Sequence, residues 1–136
     1  MINGENMKKI RKDAKKTCKD LVKAACEVFA EKGYKDTTVA DICKKANANV
    51  ASINYHFGSK ETLYIEAWEY SFDECLKKYP PDGGVKESEP PEERLKGRIV
   101  SLINKIIDQD YKAFAIMQKE MAEPTGLLKE YSHASI

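Results

Sequence analysis

The sequence predicts an all-α fold: a three-helix domain containing a helix-turn-helix, a long connecting fourth helix, and a partial helical domain beyond it. Three observations predict this. Apolar residues recur at three- and four-residue steps along almost the whole chain. No convincing alternation of apolar and polar residues marks a strand. The one clear loop, Pro80-Pro81-Asp82-Gly83-Gly84 continuing to Pro90-Pro91, separates a helical run before it from another after it.

Cys18, Leu21/Val22, Ala25 and Val28/Phe29 give a first helix of Asp13 to Lys32. Gly33 ends it as a left-handed C-terminal residue. Val39, Ile42, Cys43 and Ala46 mark a second helix; Thr38 caps it, with Asp41 three places on in a capping-box arrangement. After the break at Asn47-Ala48, Asn49 is the N-cap of a third helix with Ile53 and Phe57 as inward anchors. Gly58-Ser59 resets the chain, and Ser59 caps a fourth helix to Lys78 along which Tyr64, Ala67/Trp68, Ser71/Phe72, Cys75 and Tyr79 form a stripe. Beyond the loop, Leu95, Ile99, Leu102/Ile103 and Ile106 define a fifth helix. Tyr111, Phe114, Met117 and Met121 define a sixth, which Pro124 stops, and Leu127-Leu128 to Tyr131 open a seventh. The organisation is therefore 1–58 reading head, 59–79 connecting helix, 80–91 loop and 92–136 partial second domain.

The chain has 136 residues, 42% of them hydrophobic, which suffices for one core. No apolar run approaches the ~18 residues of a membrane span, and the N-terminus lacks the apolar segment of a secretory signal. A cytoplasmic protein with no membrane partner is expected. The formal net charge of +1 hides an asymmetry: residues 1–60 carry 13 Lys/Arg against 7 Asp/Glu, and residues 61–136 carry 10 against 15. The basic half holds the helix-turn-helix, as a polyanion-binding module requires. Taken alone, Lys8, Lys9, Arg11, Lys12, Lys15 and Lys16 read equally well as a solvated N-terminal tail.

The stretch from Asn49 to Lys60 carries the chemistry. A reading helix needs one face for packing and another for the major groove and its phosphates. Asn49, Val50, Ala51, Ser52, Asn54 and Tyr55 fill the second face. Asn pairs bidentately with adenine, Val meets a thymine methyl, and Ala permits close approach of the helix. Thr38, Tyr55 and His56 supply hydrogen-bonding groups for phosphate oxygens, and Lys60 adds charge at a helix N-terminus that already favours an anion. Lys44 and Lys45 read as a solvated helix face. Cys18, Cys26, Cys43 and Cys75 have no metal-ligand spacing, and with only His56 and His133 beside them no zinc site, and no other metal or cofactor, is expected; they read as reduced structural thiols, with Cys18, Cys43 and Cys75 on apolar helix faces as small hydrophobes. No catalytic set is present either, so no enzyme activity is expected.

Thr37-Thr38-Val39-Ala40-Asp41-Ile42-Cys43-Lys44-Lys45-Ala46, followed by Val50-Ala51-Ser52-Ile53-Asn54-Tyr55-His56-Phe57-Gly58-Ser59-Lys60-Glu61-Thr62-Leu63-Tyr64, closely resembles the DNA-binding domain of TetR-family transcriptional regulators, over residues 12 to 78. Asn-Tyr-His-Phe-Gly-Ser-Lys, with Glu120-Met121-Ala122-Glu123-Pro124-Thr125 further on, is similar to the CecR-like subgroup. The chain departs from the family in having Asn47-Ala48-Asn49 where Gly-Val-Ser is frequent, and Ala51 and Asn54 where Gly and Tyr are frequent.

The resemblance implies a ligand-responsive regulator of transcription, a repressor, whose partners are a double-stranded DNA operator and a small-molecule effector. It places Thr38, Tyr55, His56 and Lys60 at phosphates, and Asn49 to Ser52 and Asn54 at bases or nearby backbone. It makes Trp68, Phe72, Phe114, Met117 and Met121 candidates for an effector pocket, for which ordinary interhelical core is the simpler account. It implies a homodimer, against which stands a second domain shorter than the family's, a truncated one by that measure. The alternative from the residues alone is a helical protein-interaction module without DNA binding.

Overall fold

The computed structural model describes residues 3–132, and among them it contains seven helices and no strand. The helices are α1 (Gly4–Asp36), α2 (Val39–Ala46), α3 (Val50–His56), α4 (Lys60–Lys78), α5 (Pro91–Ile107), α6 (Lys112–Ala122) and α7 (Lys129–Ser132). Their order matches the sequence reading; several boundaries and two buried faces do not.

The first helix begins at Gly4 rather than Asp13, because Asn3 caps it: its Oδ1 accepts from the Asn6 N–H at 3.0 Å. The basic N-terminal stretch is thus solvent-exposed but helical. Gly33 breaks α1 as expected and at positive φ, but its ψ of 171° (φ 80°) puts it outside αL, in a region that glycine alone enters readily. Thr37 fixes the turn that follows. It is buried, and its hydroxyl donates to the Gly33 carbonyl at 2.6 Å.

Leu21, Ala25 and Phe29 of α1 meet Ile42 of α2, Ile53 of α3 and Leu63, Tyr64, Ala67 and Trp68 of α4 in one continuous core. Leu63 and Ala67 lie four positions apart, as do Tyr64 and Trp68, which gives the helix one inward stripe. Cys26, Cys43 and Cys75 are buried and Cys18 half-buried, all as free thiols. The Cys26 thiol donates to the Ala67 carbonyl at 3.2 Å, and burial pushes its pKa up to about 11.

The fifth helix corrects the sequence reading. None of its residues is buried, and the expected inward side chains Leu95, Ile99, Leu102, Ile103 and Ile106 are all about half exposed or more. Within the described residues α5 is held by the loop instead. Gly83 packs so closely on Gly97 that a Cβ on Gly83 would lie 2.1 Å from the Gly97 carbonyl carbon, and Ser101 Oγ donates to the Pro80 carbonyl at 2.9 Å. An amphipathic sequence states that a face favours cover, not that this chain supplies it.

The sixth helix is turned relative to expectation. Ala113 and Ile116 are buried against α1 and α4, while Phe114 is 48% and Met121 75% exposed. Both sides of α6 carry apolar residues, and the small Ala113 permits the closer helix approach. Leu128 is buried, but α7 starts one residue after it. His133 lies outside the described residues.

Candidate nucleic-acid interface

Caps position the reading helix. Thr38 Oγ1 accepts from the Asp41 N–H at 3.1 Å and Asp41 Oδ2 from the Thr38 N–H at 3.0 Å, a complete capping box on α2. The same N–H, the Thr38 hydroxyl and then Lys32 hold the Asp41 carboxyl below its ordinary range. At the end of α2, Asn47 takes the left-handed conformation (φ 53°, ψ 47°) and so ends the helix ahead of the turn into α3. Asn49 Oδ1 then accepts from the Ser52 N–H at 2.9 Å and from the Ser52 hydroxyl at 3.1 Å. Ile53 is fully buried and Phe57 nearly so, which fixes the rotation of α3 about its axis.

That rotation decides what faces outward. Asn49, Val50, Ala51, Asn54 and Tyr55 are exposed, Tyr55 to 82%. Ser52 and His56 are half-buried, and Thr38 is exposed beside them at the α2 N-terminus. Cap geometry also divides the labour. The Asn49 side-chain carbonyl oxygen is committed to Ser52, so its amide nitrogen is the side-chain group that stands outside the cap. Asn54, exposed and outside that cap, keeps the donor and acceptor together that a bidentate adenine contact uses. His56 packs edge-on to Tyr55, with ring centroids 5.0 Å apart. Among the exposed basic residues nearby, Lys45 pairs with Glu27 at 2.9 Å and Lys32 with Asp41 at 3.3 Å.

Lys60 stands in the first turn of α4, which Ser59 caps through the Thr62 N–H. Its ammonium lies over the Tyr34 ring, 4.2 Å from the centroid. Tyr34 was not singled out in the sequence. No local pattern marks it, because Tyr34 and Lys60 lie 26 positions apart and meet only through the packing of α1 on α4.

Of the candidate effector residues, the structure brings Trp68 and Phe72 together as a stacked pair at 5.5 Å. Phe114 stacks instead on Tyr111 at 5.8 Å. Met117 and Met121 line a small cleft of about 170 Å³ near α7. Trp68, Phe72 and Phe114 do not line that cleft. A larger cavity, about 560 Å³, lies between α1, α4 and the start of α6, against Cys26, Ser71 and Tyr111.

The family model for bacterial regulatory proteins of the tetR family matches residues 21–67, the span from the α1 core face to the middle of α4. A crystal structure of a HlyIIR mutant protein superposes with a TM-score of 0.62 and 26% identity, over 86% of this chain and 64% of that one. Residues 21–67 carry the TetR-family regulatory domain. Similar proteins include the Staphylococcus aureus (strain Newman) protein described as the biofilm operon icaADBC HTH-type negative transcriptional regulator IcaR. That protein is 42% identical over 53 residues, which is 39% of this chain and 28% of IcaR. Another is the uncharacterized HTH-type transcriptional regulator YerO of Bacillus subtilis (strain 168), 28% identical over 97 residues, or 71% of this chain and 33% of YerO. The chain therefore spans a third or less of each of those two curated relatives. No helix among its described residues is long and apolar enough to cross a membrane.

Proposed function

We propose that the chain is a sequence-specific DNA-binding transcriptional regulator, a repressor that answers to a small ligand, and not an enzyme. The observation that carries this is the exposed face of α3. Asn54, Tyr55, Val50 and Ala51 point outward from a helix locked by Asn49 and Ile53, inside the basic half of the chain. Apolar and hydrogen-bonding groups on one short, rigidly held helix suit base edges, while Thr38, His56 and Lys60 flank them where phosphates would run. Ser52 adds acceptor lone pairs. A repressing sign follows the relative IcaR, a negative regulator.

A ligand acts on such a head only through different affinities for two arrangements of α4 and α6. Trp68 and Phe72, or the cavity beside Ser71, are the surfaces from which it would do so. A homodimer would place two heads on a two-fold operator. The CecR-like assignment rests on its two motifs.

Selecting duplexes from a random pool, then repeating with Asn54→Ala, tests the reading. Wild type should enrich one motif, and the variant should relax it at one base pair by about 1–3 kcal/mol. Enrichment of no motif by the wild type would remove the sequence-specific reading. An unchanged motif in the variant would remove the base-reading role of Asn54.

A further inference from the structure

Three aromatic rings and a carboxylate connect the head to α6. Lys60 Nζ sits over the Tyr34 ring at 4.2 Å. The Tyr34 ring packs on the Tyr64 ring, centroids 4.9 Å apart, and Phe29 braces Tyr64 edge-on at the same separation. The Tyr64 hydroxyl donates to Glu120 Oε2 at 2.7 Å. Glu120 is itself held by the Thr125 N–H at 2.9 Å and the Thr125 hydroxyl at 2.8 Å. Tyr64 is nearly fully buried, so this ring has no freedom to move without its neighbours.

We infer that Tyr34 is a positioning residue for Lys60, holding its ammonium at the α4 N-terminus for a DNA phosphate, and that Glu120 of α6 sets the position of Tyr34 through Tyr64. This rests on the phosphate role proposed for Lys60. A lysine side chain loses much rotamer freedom when it docks on an anion. A ring face that already fixes the ammonium removes part of that cost and leaves N–H donors directed away from the ring. The Tyr34 backbone follows the positive-φ Gly33, and Lys119 of α6 passes within 3.4 Å of where a Gly33 Cβ would be. The turn that presents the ring is therefore seated directly under α6. Glu120, in the next position, ties the same corner to α4. A shift of α6 along α1 would reach Lys60 by this route, with no change in α3.

Two readouts test the inference, one with DNA and one without. In the free protein, the Lys60 Hε protons should show an upfield ring-current shift that Tyr34→Phe preserves and Tyr34→Leu abolishes. Glu120→Ala should reduce the shift and Glu120→Gln retain it. Ordinary Lys60 Hε shifts in the wild type would overturn the contact, and an unchanged shift in Glu120→Ala would overturn the tie through Tyr64. With DNA, a cation–π contact of about 0.5–1 kcal/mol makes Tyr34→Leu bind about two- to fivefold more weakly. The salt slope should stay unchanged, because Lys60 keeps its charge. In a Lys60→Ala background Tyr34→Leu should cost nothing further; equal losses in both backgrounds would show general damage to the head and overturn the positioning role. Should Lys60→Ala alone leave affinity and salt slope untouched, it is the phosphate role that fails, while the ring-current result still judges the contact.

Discussion

Tyr64→Phe removes one oxygen from the junction of α4 and α6 and leaves the ring in place. Tyr64 is 2% exposed, and its hydroxyl makes a 2.7 Å bond to a carboxylate. A hydrogen bond to a charged group contributes about 1.5–3 kcal/mol net. The lower end applies, because Glu120 keeps the Thr125 N–H and hydroxyl when Tyr64 lets go. Burial, and then the Glu120 carboxylate, push the Tyr64 pKa far up, so the hydroxyl remains the proton donor throughout the usable pH range. The expected loss is about 1.5 kcal/mol, a Tm drop of roughly 3–6 °C for a domain of this size. Urea unfolding followed by Trp68 fluorescence should show a lower midpoint at unchanged slope. Glu120→Ala should cost more, about 2–4 kcal/mol, since it strands the Tyr64 hydroxyl together with the Thr125 donors. In that background Tyr64→Phe should be close to neutral. A loss under about 0.5 kcal/mol in the wild-type background, or the same loss in both, would refute the reasoning.

Four further outcomes are expected. Ile53→Ala, at a fully buried site, should destabilise by about 2–5 kcal/mol by calorimetry or urea titration, and DNA binding should disappear with the fixed rotation of α3. At the left-handed Asn47, Asn47→Gly should be tolerated while Asn47→Ala costs about 1 kcal/mol in the same assay; equal effects would contradict the turn geometry. Leu102→Ala, on the exposed face of α5, should change stability by less than about 0.5 kcal/mol; a core-sized loss would mean that face is covered in solution. The Lys78–Asp108 ion pair at 2.6 Å, with the Tyr79 hydroxyl also donating to Asp108, holds the Asp108 pKa down to about 2 and Lys78 up to about 12. Its contribution should be fully present between about pH 5 and 9, fade on acidification from about pH 4 toward 2, and fade on the alkaline side from about pH 10.5 toward 12. The stability difference between wild type and Asp108→Asn, followed by urea titration across pH, should close in both limits.

The parts of the fold legible in the sequence are those written by local chemistry. Thr38 with Asp41, Asn49 and Ser59 announce three helix starts, and each makes the expected cap. Ile53 and Phe57 announce the inner side of α3 and both are buried. What was not legible depends on partners far apart in the chain. The apolar stripe from Leu95 to Ile106 looks like a core face, yet no described element lies over it. In α6, Phe114 and Met121 match Ala113 and Ile116 in apolar character, and only the approach to α1 decides that the smaller pair goes inward. Within the candidate site, the outward residues of α3 were legible from the helix period. The ring beneath Lys60 was not, because Tyr34 and Lys60 meet only once α1 and α4 have packed.

Titrating isotopically labelled protein with a duplex enriched from the random pool, and mapping the amide shifts, tests the central claim most directly. The account predicts the largest changes at Thr38, from Asn49 through His56, and at Lys60, with α5 unperturbed. Changes concentrated on α5, or absent from α3 in a saturated complex, would contradict it.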